Sequence, residues 1–261
     1  MYDLAALEAA LAGTIFTGKL RFSSTTGSTN TDAMAAGRSG APHGSVFFSD
    51  EQTAGRGRGN HSWHSHAGEG LYVSVLLRPP MAIENLPVVP LAAGLAAAWA
   101  IKIAAGMEVD LRWPNDLLIG PHKCGGILVE SKTDRGEVGF VVIGIGINVH
   151  QRSFDPGLST PATSLDIASG RTNSRQALLI ALLESLQRET RGLHDSVVVS
   201  AIPARVAQNS TWLWNRRVEV HGPQACIGIT HGLDPNGFLL VQTDNGLVTI
   251  QTGGIRDASM E

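Results

Sequence analysis

The residues best suited to do chemistry lie between Asp50 and Ser65, in the run DEQTAGRGRGNHSWHS. Gly55, Gly57 and Gly59 alternate with Arg56 and Arg58, and Trp63 follows shortly after. Glycine lets a backbone come close to a ligand or take positive φ. Arginine supplies charged donors shaped for carboxylate and phosphate oxygens, and an indole offers a flat apolar face. The pattern describes an anion-clasping loop with a stacking lid. Gly-Arg alternation also occurs in disordered RNA-binding tails, and a glycine-rich turn needs no ligand. The strand-like Gly70–Leu77 that follows at once favours a loop between strands.

Four further clusters carry polar chemistry. Ser28-Thr29-Asn30 opens a helix, either as simple capping or as N–H groups and hydroxyls offered to a polar ligand. Pro114 cannot sit inside a strand, so Trp113-Pro114-Asn115-Asp116 is a break. Its apolar flanks set that break near the core, although Pro-Asn-Asp is also ordinary turn chemistry. Lys123 stands just ahead of Gly125 and Gly126. The Gly120–Gly126 spacing nearly imitates a phosphate loop, but the lysine precedes the second glycine, and the reading fails. Gly144 and Gly146 interrupt the apolar run Phe140–Val149, which contains Asn148. Glycines inside a central strand mark close approach of a ligand or another backbone. A dinucleotide fingerprint would need a third glycine and a following helix. His61, His64 and His66 crowd the Gly-Arg loop without the cysteine or carboxylate partners of a zinc site, so no metal site is expected there. Cys124 reads as a small apolar residue entering a strand.

The elements that must position these groups alternate along the chain. An amphipathic helix at the N-terminus precedes a short strand over Lys19–Ser24 and a helix reaching Gly37. Strands at Ser45–Ser49 and Leu71–Leu77 flank the Gly-Arg loop. Leu86–Ala105, rich in alanine, predicts a buried helix with Trp99 in the core. Asn173 is expected to cap a helix running to Arg191. After Asn215 the character changes to short strands at Arg217–His221, Ala225–Thr230, Phe238–Gln242 and Leu247–Gln251, separated by Gly/Pro/Asn/Asp turns. These predict a small all-β barrel, giving domains over 1–214 and 215–261.

With 261 residues and 43% hydrophobic content the chain can bury a sizeable core. A net charge of −3 argues against a surface built for nucleic acid, so positive field must be local. No run is expected to reach a membrane span of about 18 apolar residues, and the acidic N-terminal helix is unlike a secretory leader. The two cysteines build no disulfide framework. A cytoplasmic protein is expected.

Taken in order, Ser28-Thr29-Asn30, Gln52 with the Gly-Arg loop and Trp63, Arg112–Asp116, Lys123–Glu130 and Gly144–Asn148 resemble biotin protein ligases, and the terminal β region completes the match. The resemblance implies an α/β (α+β) fold: a mixed sheet flanked by helices, like that of class II aminoacyl-tRNA synthetases, with an SH3-like C-terminal barrel. It implies ATP-dependent conversion of biotin to biotinyl-5′-AMP, with Mg2+, and transfer to a lysine of a biotin carboxyl carrier domain. Arg58 and Lys123 would be catalytic. Ser28, Thr29, Asn30, Gln52, Gly55, Arg56, Gly57, Arg58, Lys123 and Gly126 would bind biotin. Arg58, Trp63, Asn115, Asp116, Lys123 and Asn148 would bind ATP, with Trp63 stacked on adenine, and Asn115 and Asn148 facing the triphosphate and its metal. Asp116 would orient Lys123 or the incoming amine. A monomer or homodimer without DNA or membrane partners is implied, the 27 residues ahead of Ser28 being too few for a winged helix. Three positions depart from the family pattern. Gly59 begins a stretch where many bacterial members carry another arginine, Arg112 stands where lysine is common, and Arg256 receives no role. Lipoate or octanoate transfer is the nearest rival reading, and a non-catalytic biotin-binding module another.

Overall fold

The computed structural model describes residues 2–59, 61–134 and 136–258. A seven-stranded mixed sheet has the order β1-β2-β3-β7-β6-β5-β4. Its strands are β1 (Leu20–Thr26), β2 (Ser45–Gln52), β3 (Gly70–Leu77), β4 (Asp110–Arg112), β5 (Asp116–Ile119), β6 (His122–Asp134) and β7 (Glu137–Asn148). β1 and β2 are parallel, because the helix α2 (Thr29–Arg38) crosses between them, and the other neighbours are antiparallel.

Helices cover both faces. On one side lie α3 (Val89–Ala105) and α5 (Arg175–Thr190), packed over Val73, Val75, Ile143, Ile145 and Ile147, with α6 (Ser196–Gln208) packed against α3. α2 covers part of the other side through Ala33 and Met34, against Leu76, Phe140 and Val142. The rest of that face is left open, and there the glycines of β6 and β7 lie. The short helices α1 (Leu4–Ala10) and α4 (Leu165–Ser169) close the periphery.

The stretch Ile83–Ala105 is long and apolar enough to cross a bilayer, against the expectation that no run would be, but 67% of its most apolar window is buried inside the fold. Its outer side is not core. Trp99 is 45% exposed, with the Arg188 guanidinium 5.3 Å from its ring, which corrects the expectation of a core tryptophan. The helix α6 has no counterpart in the sequence reading. Its run of three valines and Pro203 argue locally against a helix, yet Asp195 caps it through Val197 N, and Ile202 and Val206 are buried in the common core.

The C-terminal strands form a five-stranded antiparallel sheet, order β11-β10-β9-β8-β12. They are β8 (Trp214–His221), β9 (Cys226–Leu233), β10 (Leu239–Thr243), β11 (Gly246–Ile250) and β12 (Gly254–Asp257). Val218, Val220, Val241 and Ile255 join the same buried cluster as the large sheet. β12 was not anticipated. It pairs with β8, and Arg256 donates to Glu219 at 2.8 and 3.0 Å, so that arginine staples two strands together.

Candidate functional site

On the open face the pleat of three strands puts two cross-strand rows on the side away from α3 and α5. One row is Tyr72, Gly146 and Gly126; the next is Ser74, Gly144 and Leu128. Three of these six positions lack a side chain, and the result is a groove in the sheet. The groove belongs to a cleft of about 1090 Å³. Its other walls are the N-terminus of α2, the Gly-Arg loop, the Trp113–Asp116 turn, the segment Ser153–Ala162, and Thr252–Arg256 beside β12.

The Gly-Arg loop folds as a narrow hairpin over this cleft. Gln52 bridges to Ser65 and Arg56 to Ser62, and Gly57 N donates to His61 O at 2.7 Å. Of the residues singled out in the sequence, Ser28, Thr29, Asn30, Gln52, Arg56, Gly57, Arg58, Trp63, Asn115, Asp116, Lys123, Gly126 and Asn148 all line the cleft. Gly55 does not. A Cβ there would lie 2.3 Å from Trp63 O, so Gly55 is required by the hairpin's own crossing, not by the cleft wall.

The three cations of the loop and of β6 share the cavity, each held by a partner. Arg56 makes a two-pronged pair with Glu130 at 2.9 and 3.0 Å. Arg58 reaches the C-terminal sheet, donating to Gly253 O and to Thr252 Oγ1, the latter at 3.0 Å. Its burial lowers its pKa, an effect partly countered by the Asp116 charge. Lys123 Nζ lies 2.5 Å from Asp116 Oδ1 and 5.7 Å from the Trp63 ring centroid.

Asp116 is the hub of a charge cluster. Arg112 donates to its Oδ2 at 2.6 and 3.1 Å, and to Thr160 Oγ1 at 2.9 Å, while its guanidinium lies 5.1 Å from the Trp212 ring centroid. Burial alone would raise the Asp116 pKa, but the Lys123 ammonium and then the Arg112 guanidinium hold it below its ordinary value. Both carboxylate oxygens are therefore engaged by cations, which makes Asp116 a weak proton acceptor and a firm anchor for Lys123. Cys124, beside it, is fully buried, and that burial pushes its thiol up to about 12.

The strand glycines turn out to receive side chains. An added Cβ at Gly144 would lie 2.0 Å from Asn30 Oδ1, and one at Gly146 would lie 2.5 Å from Trp63 Nε1. Trp63 thus rests on the groove floor, also near Gly126, with its buried Nε1 lacking a hydrogen-bond partner among the described residues. Asn115 and Asn148 present their amides inward to backbone: Nδ2 of Asn115 donates to Ile127 O at 2.8 Å, and that of Asn148 to Thr163 O at 3.1 Å. The Oδ1 of Asn148 in turn accepts from Gln151 Nε2 at 3.4 Å. Among the described residues no group of three His, Cys, Asp or Glu could hold a metal ion.

Ser74, Glu130 and Thr160 were not singled out by the sequence analysis. Strand alternation was the available signal for Ser74, since a serine inside an otherwise apolar strand implies a polar neighbour. The Arg58 contact with Thr252 and Gly253 spans 194 and 195 positions and had no local signal.

Comparison with known proteins follows the same pattern. The profile of the Biotin/lipoate A/B protein ligase family matches residues 22–148, which includes both the Gly-Arg hairpin and the groove. The bifunctional ligase/repressor BirA of Bacillus subtilis is 34% identical over 233 residues, spanning 87% of this chain and 70% of that protein. The biotin--[acetyl-CoA-carboxylase] ligase of Mycobacterium tuberculosis is 32% identical over 242 residues, spanning 88% and 85%. Among solved structures, biotin protein ligase from Aquifex aeolicus in complex with biotin and ATP superposes with a TM-score of 0.77 at 26% identity, covering 92% of this chain and 98% of that one. Likeness of this degree, sustained over most of the length of both partners, places the chain in the biotin protein ligase family.

Proposed function

We propose that this chain activates biotin with ATP and passes the biotinyl group to a lysine of a biotin carboxyl carrier domain, such as that of acetyl-CoA carboxylase. One observation carries the reading: Arg56, Arg58 and Lys123 face a single cleft, beside a recess of hydroxyl and amide groups at Thr29, Gln52 and Ser74. Two anions must meet there, and fixed positive charge offsets their repulsion.

In the first step a biotin carboxylate oxygen bonds to the α-phosphorus of ATP, and the bond to the leaving pyrophosphate breaks. Lys123, held by Asp116, lies against the reacting oxygens, and Arg58 retains the adenylate. Losing one such contact at a developing charge costs about 3 kcal/mol in barrier. In the second step a lysine amine attacks the acyl carbon of the mixed anhydride, releasing AMP and a proton. Asp116 and Arg112 serve to aim Lys123; the buried Arg112 cannot act as a base.

Ser28, Thr29 and Gln52 bind the ureido ring, and Gly57 and Gly126 let backbone approach the ligand. Trp63 leaves the groove floor to stack on adenine. An unpaired buried N–H costs about 1–3 kcal/mol, so its present resting place favours displacement. The chain fits Mg2+ brought in by the nucleotide rather than held in a cage of its own, since Asp116 is engaged by cations and Asn115 and Asn148 offer neutral amide oxygens. The metal would neutralise phosphate charge. The five-stranded sheet is read as an SH3-like barrel forming a domain over 215–261, with the ligase domain over 1–214, in a cytoplasmic monomer or homodimer.

Calorimetry with biotin, then ATP, followed by pyrophosphate release and mass spectrometry of a carrier domain, tests the reading. Biotin should be incorporated and lipoate should not, and Arg58→Ala or Lys123→Ala should slow pyrophosphate release about 100-fold. Tight biotin binding with no pyrophosphate released by the wild type would instead identify a binding module.

A further inference from the structure

Beneath the acid end of the cleft the polar side chains form a chain with a defined direction. Glu130 Oε2 accepts from Asn30 Nδ2 at 2.9 Å while also binding Arg56. A carboxylate paired with arginine only accepts, so the amide nitrogen of Asn30 must sit at this end, where it also reaches Leu128 O at 3.4 Å. That orientation sets Asn30 Oδ1 on Ser74 Oγ at 2.6 Å, and the single Ser74 proton is spent there. Ser74, fully buried, then has only lone pairs for Thr29 Oγ1, which lies 2.8 Å away.

On its other side Thr29 Oγ1 lies 3.1 Å from Gln52 Oε1. That oxygen is also an acceptor. It receives Thr29 N at 2.9 Å, and Gln52 Nε2 donates to Ser65 Oγ at 2.8 Å. Whichever neighbour holds the Thr29 proton, the hydroxyl has none left for the cleft. It presents lone pairs only.

We propose that Ser74, fixed by Asn30 and Glu130, is a positioning residue that holds Thr29 as a hydrogen-bond acceptor, so that the recess selects a ring presenting an N–H at that point. The proposal rests on the biotin reading, in which a ureido nitrogen supplies the N–H. It also changes the part played by Asn30. With Oδ1 and Nδ2 both committed inside the protein, Asn30 is a brace for Thr29 and not a contact of the ligand.

The test is a double-mutant cycle in the full chain, combining Ser74→Ala with Thr29→Val. It is read as biotin Kd by calorimetry and as biotin KM and kcat by pyrophosphate release. Ser74→Ala should weaken biotin about ten-fold in Kd and KM, with kcat at saturating biotin within about two-fold. In the Thr29→Val background Ser74→Ala should cost no more than about two-fold, because the residue it acts through is gone. Ser74→Cys, close in size and a weaker donor, should fall between and serves if the alanine variant does not fold. Additive losses, or a Ser74→Cys and Ser74→Ala pair that bind biotin as wild type does, overturn the brace. A wild-type chain that binds no biotin overturns the substrate reading instead, so the two failures are distinguishable.

Discussion

Gly144→Ala puts the packing of the site to a direct test. The added methyl would lie 2.0 Å from Asn30 Oδ1, 2.8 Å from Cγ and 3.2 Å from Nδ2, well inside van der Waals contact. Asn30 cannot yield cheaply, because Ser74 at 2.6 Å, Glu130 at 2.9 Å and Leu128 O at 3.4 Å hold both ends of its amide. Overpacking costs about 1–3 kcal/mol, and a hydrogen bond to a charged partner is worth about 1.5–3 kcal/mol. If the amide is expelled, part of each is lost, and a destabilisation on the order of 2–4 kcal/mol follows. For a chain of this size that is a fall in Tm of roughly 4–16 °C. Gly126→Ala is the internal control. Its methyl would meet Trp63 Cζ3 at 3.4 Å and Lys123 Cε at 3.5 Å, ordinary contacts, so stability should hold within about 1 kcal/mol while biotin binding weakens. Urea denaturation of the three proteins measures stability, and calorimetry measures biotin binding. A Gly144→Ala protein as stable as wild type, with the Asn30 side-chain amide resonances unmoved, would refute the reasoning.

Other consequences can be checked in parallel. The Lys123 ammonium and the Arg112 guanidinium hold the Asp116 pKa below the ordinary aspartate value, so the carboxylate stabilises the fold fully above that ordinary value and loses its contribution as pH falls through the folded one. The stability gap between wild type and Asp116→Asn should accordingly be constant from pH 5 to 7 and close in more acid solution, as read by denaturation at each pH. Cys124, buried with its thiol near 12, should resist iodoacetamide at pH 8 until denaturant is added, whereas the partly exposed Cys226 should react in the native protein, as peptide mass spectrometry would show. Thr252→Ala removes one of the two anchors of Arg58 on the C-terminal sheet. Because that contact is exposed, global stability should change by less than about 1 kcal/mol, while trypsin should cut after Arg58 a few-fold faster.

The sequence determined the chemical inventory and most of the elements, though neither helix α6 nor strand β12. Short apolar runs located the strands β2, β3 and β7, and residue types alone identified the Gly-Arg loop, Lys123 and the Asn-Asp turn as polar groups worth bringing together. The tertiary structure decided the pairings. Glu130 reaches Arg56 across 74 positions and Arg58 reaches Gly253 across 195, distances over which no periodicity carries information. It also decided what fills the space above Gly144 and Gly146, where the sequence indicated only close approach and the fold supplied Asn30 and Trp63. Helix α6 shows the converse case, local preference overruled by burial of Ile202 and Val206. A chain specifies its own backbone habits within a few residues, but the partner of a charge or the occupant of a gap is fixed only when distant segments are packed against one another.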